Sequence, residues 1–93
     1  LSLPCVNLAG KTGLLEVTAV LQQARLFVGN DSGLGHLAAA AGTPTVTVFG
    51  PGDPQRYHPW HPQARWVQST TGVVADVPVD AVSEQVLEVL LAE

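Results

Sequence analysis

The sequence contains no methionine, one cysteine, two phenylalanines and only four basic residues among 93. A lone cysteine, Cys5, can close no internal disulfide, which fits a reducing compartment and reads as a small buried hydrophobe in a first strand. Four Lys and Arg against eight Asp and Glu give a formal net charge of −4. A broad nucleic-acid surface needs clustered cations, so no nucleic-acid partner is expected. No apolar run approaches the roughly 20 residues that a membrane-spanning helix needs, and no signal-peptide pattern opens the chain. The missing initiator methionine and the apolar first residues predict a piece of a larger protein. What is present is the composition of a folded domain, 46% hydrophobic and 13% charged. A chain this short buries only somewhat more than roughly 60% of its unfolded surface, which is marginal for a three-layer α/β domain. So few charges predict that much of the surface is covered. A single phosphate group remains a suitable ligand, because helix ends can supply its donors.

The pattern is organised around residues 26–50, LFVGNDSGLGHLAAAAGTPTVTVFG. Leu26, Phe27 and Val28 form a short apolar run that suits a strand buried in a parallel sheet. Asn30, Asp31, Ser32 and Gly33 turn the chain and offer several helix caps. Residues 34–41 are helical in composition, and Gly42 with Pro44 stops them. Thr45–Phe49 is rich in β-branched residues and predicts the next strand.

Around this unit, residues 3–8 predict a strand and residues 14–24 an amphipathic helix, with Leu14, Val17, Leu21 and Ala24 at helical spacing and Thr12 as its cap. The string Gly10, Lys11, Thr12 is no P-loop, because Cys5 stands where the second glycine belongs. Lys11 is then a solvated turn residue or, at most, a secondary ligand contact. Residues 50–62 form a long loop dense in Gly and Pro, with Arg56, Tyr57, His58, Trp60 and His61. His58 and His61 have no acidic or cysteine partner at metal-ligand spacing, so no metal site is expected. Residues 65–68 predict a last strand, residues 69–75 an unpatterned connection, and Val79–Leu91 a helix burying Val79, Val82, Val86, Val89 and Leu90. The order β-α-β-α-β-β-α reads as an α/β fold with a parallel sheet.

In open sheets of this kind, ligands bind at the carboxyl ends of the strands. The turn at Asp31, Ser32 and Gly33 lies at such an end. The first amides of the following helix lack intrahelical partners, and the helix dipole adds partial positive charge. Gly33 lets a ligand approach the backbone, Ser32 can donate a hydroxyl, and His36 lies one turn in, within reach of a phosphate or a sugar hydroxyl. Asp31 is itself an anion, so local chemistry leaves two readings open: a structural cap, or a residue orienting a hydroxyl or water beside the ligand.

The strings NLAGKTGLLE and ARLFVGNDSGLGHLAAAAGTPTVTVFGPGDP closely resemble the C-terminal domain of glycosyltransferase family 9, which contains the ADP-heptose:lipopolysaccharide heptosyltransferases. The resemblance runs from Val6 to Pro62, and its specific core is Asp31, Ser32, Gly33, His36, the run Leu37, Ala38, Ala39 and Ala40, then Gly42, Pro44, Phe49 and Gly50. It implies part of the C-terminal half of a GT-B fold, a Rossmann-like sheet forming a single, incomplete donor-binding domain over residues 1–93, with the acceptor domain elsewhere. It assigns Asp31, Ser32, Gly33 and His36 to the donor's diphosphate and sugar. Lys11 and Thr12 would border the nucleobase, and residues 50–54, with Gly50 and Asp53 as contacts, would line the cleft. The implied reaction is inverting transfer of a sugar, heptose foremost, from a nucleoside diphosphate to a lipopolysaccharide-type acceptor. No metal or other cofactor is implied. The catalytic carboxylate is expected in the N-terminal domain, so the chain alone is expected to be inactive. The complete enzyme would be cytoplasmic, at the inner face of the membrane, with a lipid-linked or saccharide acceptor.

Several positions depart from the family's pattern. Position 13 is Gly where Ser or Thr often caps the helix, and the cysteine-bearing segment common downstream is not recognisable in residues 69–77. In a Rossmann sheet of order 3-2-1-4-5-6, the strand at Val6 would be third and the strand at Leu26 fourth, with two further strands between them. Two alternatives stand beside the enzyme reading: a non-catalytic nucleotide- or sugar-phosphate-binding module, and a degenerate interaction domain in which Asp31 is only a cap.

Overall fold

The computed structural model describes Gly10, residues 13–30 and residues 33–91, with the side chains of Gln55 and Arg56 excepted. The strand expected over residues 3–8, Cys5, Lys11, Thr12, Asp31 and Ser32 lie outside the described residues. The elements run α1 (Leu14–Gln23), β1 (Phe27–Asn30), α2 (Gly33–Ala40), β2 (Thr45–Phe49), α3 (Pro54–Tyr57), β3 (Ala64–Gln68), a 3-10 turn (Val74–Asp76) and α4 (Val79–Leu91).

All described strands are parallel, in the order β1-β2-β3. The register pairs Phe27 with Thr45 and Gly29 with Thr47, and it pairs Thr47 with Trp66. Paired residues share a face, so the alternation of the strands divides the sheet into two sides. On one side, Phe27 meets α2: a Cβ built on Gly35 would lie 3.5 Å from Phe27 Cε1. On the other, Val48 faces the groove that α4 borders with Val82 and Val86. Helices thus pack on both faces, although on the α4 side Val28 of β1, expected to be buried, is left 47% exposed. The core centres on β2, where Val46 and Phe49 are fully buried, together with Ala38 of α2 and Val89 of α4.

The helix boundaries follow local chemistry. Gly42 adopts φ +89°, a left-handed conformation that a side chain disfavours. The Gly42 amide donates to Ala39 O at 3.0 Å and the Thr43 amide to Ala38 O at 3.0 Å, the paired bonds of a Schellman end. At the start of α1 the cap is Gly13 rather than Thr12. Glycine brings no capping oxygen, and Glu16 compensates by accepting from the Gly13 amide at 3.1 Å.

Two further burial expectations are corrected. Leu14 is 73% exposed, because α1 is held to the fold at its far end, where Leu21 is buried and the Thr43 hydroxyl donates to Leu21 O. Val79 is 77% exposed, and Val82 and Val86 are only half-buried. Only Val89 among these valines of α4 is fully packed, and the helix's first turns border an open apolar groove of about 530 Å³ shared with Val48, Val74, Val77 and Leu87. The segment read as irregular after β2 contains one helical turn, α3, closed by the Tyr57 amide on Asp53 O at 2.9 Å. Likewise, the connection after β3 contains the 3-10 turn.

Candidate functional site

Because the strands are parallel, β1, β2 and β3 all release their loops at one edge. There, Asn30 at the end of β1, Val48 of β2, the loop of Gly50, Pro51 and Gly52, and Val74 line a cavity of about 380 Å³. α2 begins three residues after β1 ends, so its first amides, which have no partner within the helix, belong to the same edge. Gly33 opens α2 and is exposed, with open space where a Cβ would stand. His36, one turn on, is exposed as well.

Of the residues singled out in the sequence, Gly50 lines the cavity. Gly33 and His36 stand at the first turn of α2 rather than in the cavity wall, and Asp53 is exposed just beyond the glycine-proline loop. Lys11, Thr12, Asp31 and Ser32 lie outside the described residues, so the structure assigns them no place. Pro51 and Gly52, from the loop of residues 50–54 expected to line the cleft, line it as well, and Asn30, Val48 and Val74, which were not singled out, complete the lining. Asn30 had a signal, since it precedes the turn directly. Val74 had none, because it reaches the cavity only through the fold of residues 69–76.

That fold is tightly specified. The Ser69 amide donates to Phe49 O at 2.8 Å, continuing the ladder beyond β3. Its hydroxyl accepts from the Thr71 and Val73 amides, each at 3.2 Å. The Thr71 hydroxyl donates to Asp76 Oδ2 at 2.6 Å, so its 3.1 Å bond with Ser69 must take its proton from Ser69. The segment presses on the cavity loop: a Cβ on Gly50 would lie 3.1 Å from both Gly72 O and Val74 Cγ2. From the end of β3, Gln68 Nε2 donates to Gly52 O at 2.7 Å and to Gly50 O at 3.4 Å.

The histidines of the long loop serve packing. The ring of His58 stacks on Trp66 with centroids 4.7 Å apart, and the His61 ring accepts the Gln63 amide at 2.9 Å. Among the described residues no group of three or more His, Cys, Asp or Glu is placed to hold a metal ion, and no helix is long and apolar enough to cross a membrane.

A family model for glycosyltransferase family 9 (heptosyltransferase) matches residues 1–85. The chain belongs to glycosyltransferase family 9. It is similar to lipooligosaccharide heptosyltransferase 2 of Haemophilus influenzae, at 40% identity over 73 residues that cover 78% of this chain and 21% of that protein. It is similar also to lipopolysaccharide heptosyltransferase 3 of Escherichia coli K12, at 46% identity over 57 residues, 61% of this chain and 17% of that protein. Among solved structures it resembles the E. coli heptosyltransferase WaaC with ADP, with a TM-score of 0.78 and 30% identity over 85% of this chain and 25% of the other. The family 9 chain therefore spans about a fifth of the length of the curated relatives it matches. Its sheet and helices are those of a Rossmann-like fragment of the GT-B fold.

Proposed function

We propose that this chain is the donor-binding part of an inverting heptosyltransferase, which moves heptose from a nucleoside diphosphate to a lipopolysaccharide-type acceptor at the cytoplasmic face of the membrane. The observation that carries this reading is the convergence of the end of β1 and the loop after β2 on one cavity beside the start of α2, in a chain whose fold matches a heptosyltransferase with ADP.

In this reading the free amides and dipole of α2 receive the donor's diphosphate, and Gly33 allows it to come close. Asp31, Ser32 and His36 contact the diphosphate and sugar, Lys11 and Thr12 border the base, and Gly50 and Asp53 edge the cleft. A base on the acceptor domain takes the proton of the acceptor hydroxyl as its oxygen bonds to the anomeric carbon. The bond from that carbon to the diphosphate oxygen breaks, and its electron pair leaves with the nucleoside diphosphate. Helix-terminal amides stabilise that departing charge and take the part that a metal ion plays elsewhere. With the base on the other domain, residues 1–93 alone transfer no sugar.

Calorimetric titration of the intact protein with ADP tests the reading. Saturable binding that weakens in Ser32→Ala and His36→Ala, with unfolding midpoints unchanged, supports it. Absence of ADP binding overturns it, and ADP binding without sugar transfer by the intact protein would favour a non-catalytic binding module.

A further inference from the structure

We infer that Gln68 is a positioning residue for the nucleoside diphosphate, acting through the loop of Gly50, Pro51 and Gly52; the inference rests on the donor-binding reading above. Gln68 is exposed at the carboxyl end of β3 and does not line the cavity, yet its side-chain amide holds two carbonyl oxygens of the loop that does. Both protons of Nε2 are used in one direction, toward Gly52 O at 2.7 Å and Gly50 O at 3.4 Å.

The consequence is electrostatic. A carbonyl oxygen carries partial negative charge, and two of them turned into a small cavity would repel a phosphate. Gln68 commits both to a donor outside the cavity wall. No peptide bond among the described residues is cis, so the Asp53 amide that follows the Gly52 carbonyl points the opposite way. Pro51 and Pro54 have no amide to donate. On the far side, the Gly50 backbone rests against Gly72 O and Val74, which limits how it can turn. The side chain at position 68 thus decides whether the loop presents acceptors to an anion.

The experiment uses the intact protein, with ADP as the probe. Gln68→Met keeps the length and removes the donors, Gln68→Glu removes them and adds acceptors, and Gln68→Lys restores a donor. The Met and Glu variants should bind ADP roughly three- to tenfold more weakly, the range of one or two lost hydrogen bonds. Amide exchange at Gly52 and Asp53 should rise with them, while the unfolding midpoint stays put because Gln68 is exposed. The Lys variant should bring both the exchange and the affinity back to within about twofold of the parent. Wild-type ADP affinity in Gln68→Met, or failure of Gln68→Lys to restore slow exchange, overturns the role of Gln68 and leaves the donor reading standing. A parent protein that binds no ADP overturns both.

Discussion

The ring of Phe27 lies across the α-carbon of Gly29, two residues along the same strand: a Cβ at position 29 would stand 2.8 Å from Phe27 Cζ. The same ring reaches α2, where a Cβ on Gly35 would meet Cε1 at 3.5 Å and Pro59 Cγ at 3.4 Å. Phe27 therefore fills the space between strand and helix, and the glycine on each side differs in how much room it leaves. Gly29→Ala should destabilise the fold by about 1–3 kcal/mol, because the ring has little space to retreat. Gly35→Ala makes ordinary contacts and removes a flexible residue from a helix, so it should stabilise by about 0.5–1 kcal/mol. Urea unfolding of the two variants should move the midpoint in opposite directions.

Three buried threonines give a second contrast. The Thr43 hydroxyl donates to Leu21 O and so ties the end of α1 to the loop before β2. Those of Thr45 and Thr47 are buried and find no hydrogen-bond partner among the described residues. Replacing the hydroxyl by a methyl group should therefore have opposite signs. Thr43→Val should cost about 1 kcal/mol by removing one of the two donors to Leu21 O, which keeps the Ala24 amide at 3.2 Å, whereas Thr47→Val should add about 1 kcal/mol. Thermal unfolding of the two variants checks this, and a destabilised Thr47→Val would reveal a partner for its hydroxyl.

His36 is exposed on the first turn of α2. His36→Ala should leave stability within about 0.5 kcal/mol of the parent. On the donor-binding reading it should weaken ADP binding roughly three- to tenfold, as measured by calorimetry.

Arg65 Nη1 and Glu88 Oε2 join β3 to α4 at 2.9 Å, with side chains 41% and 53% exposed. Water screens such a pair, so Glu88→Gln should cost less than about 1 kcal/mol. That small difference should shrink further in about 1 M salt, where the screening length falls to about 3 Å. Denaturant titrations at low and high salt give the comparison.

The elements of residues 26–50 were legible because local signals agreed. β-branched residues marked β2, and Gly42 with Pro44 marked the stop of α2. The apolar stripe of α4 was legible as periodicity, but its burial was not, since burial depends on what lies opposite. Val79 and Val82 border an open groove, while Val89, at the same spacing, meets the sheet. At the site, the turn around Gly33 could be read from its position between strand and helix. Gln68 and Val74 could not, because they reach the cavity loop from 16 or more residues away through the pairing of β2 with β3. The one-turn helix α3 was hidden for a different reason: four residues between prolines are too few to show a period.

The parallel arrangement also bears on how such a domain can change over evolutionary time. Every described strand hands its chain to the same edge, and the connections after β2 and β3 are each fastened by their own bonds. Rewriting exposed positions of these loops, such as Pro51, Asp53 or Thr70, would alter the rim without disturbing Val46, Phe49, Pro59 or Val89 beneath it. On the donor-binding reading, selectivity for one sugar donor or another can then drift by loop exchange on an unchanged floor, which makes this edge the place to swap segments when redirecting the protein to a new donor.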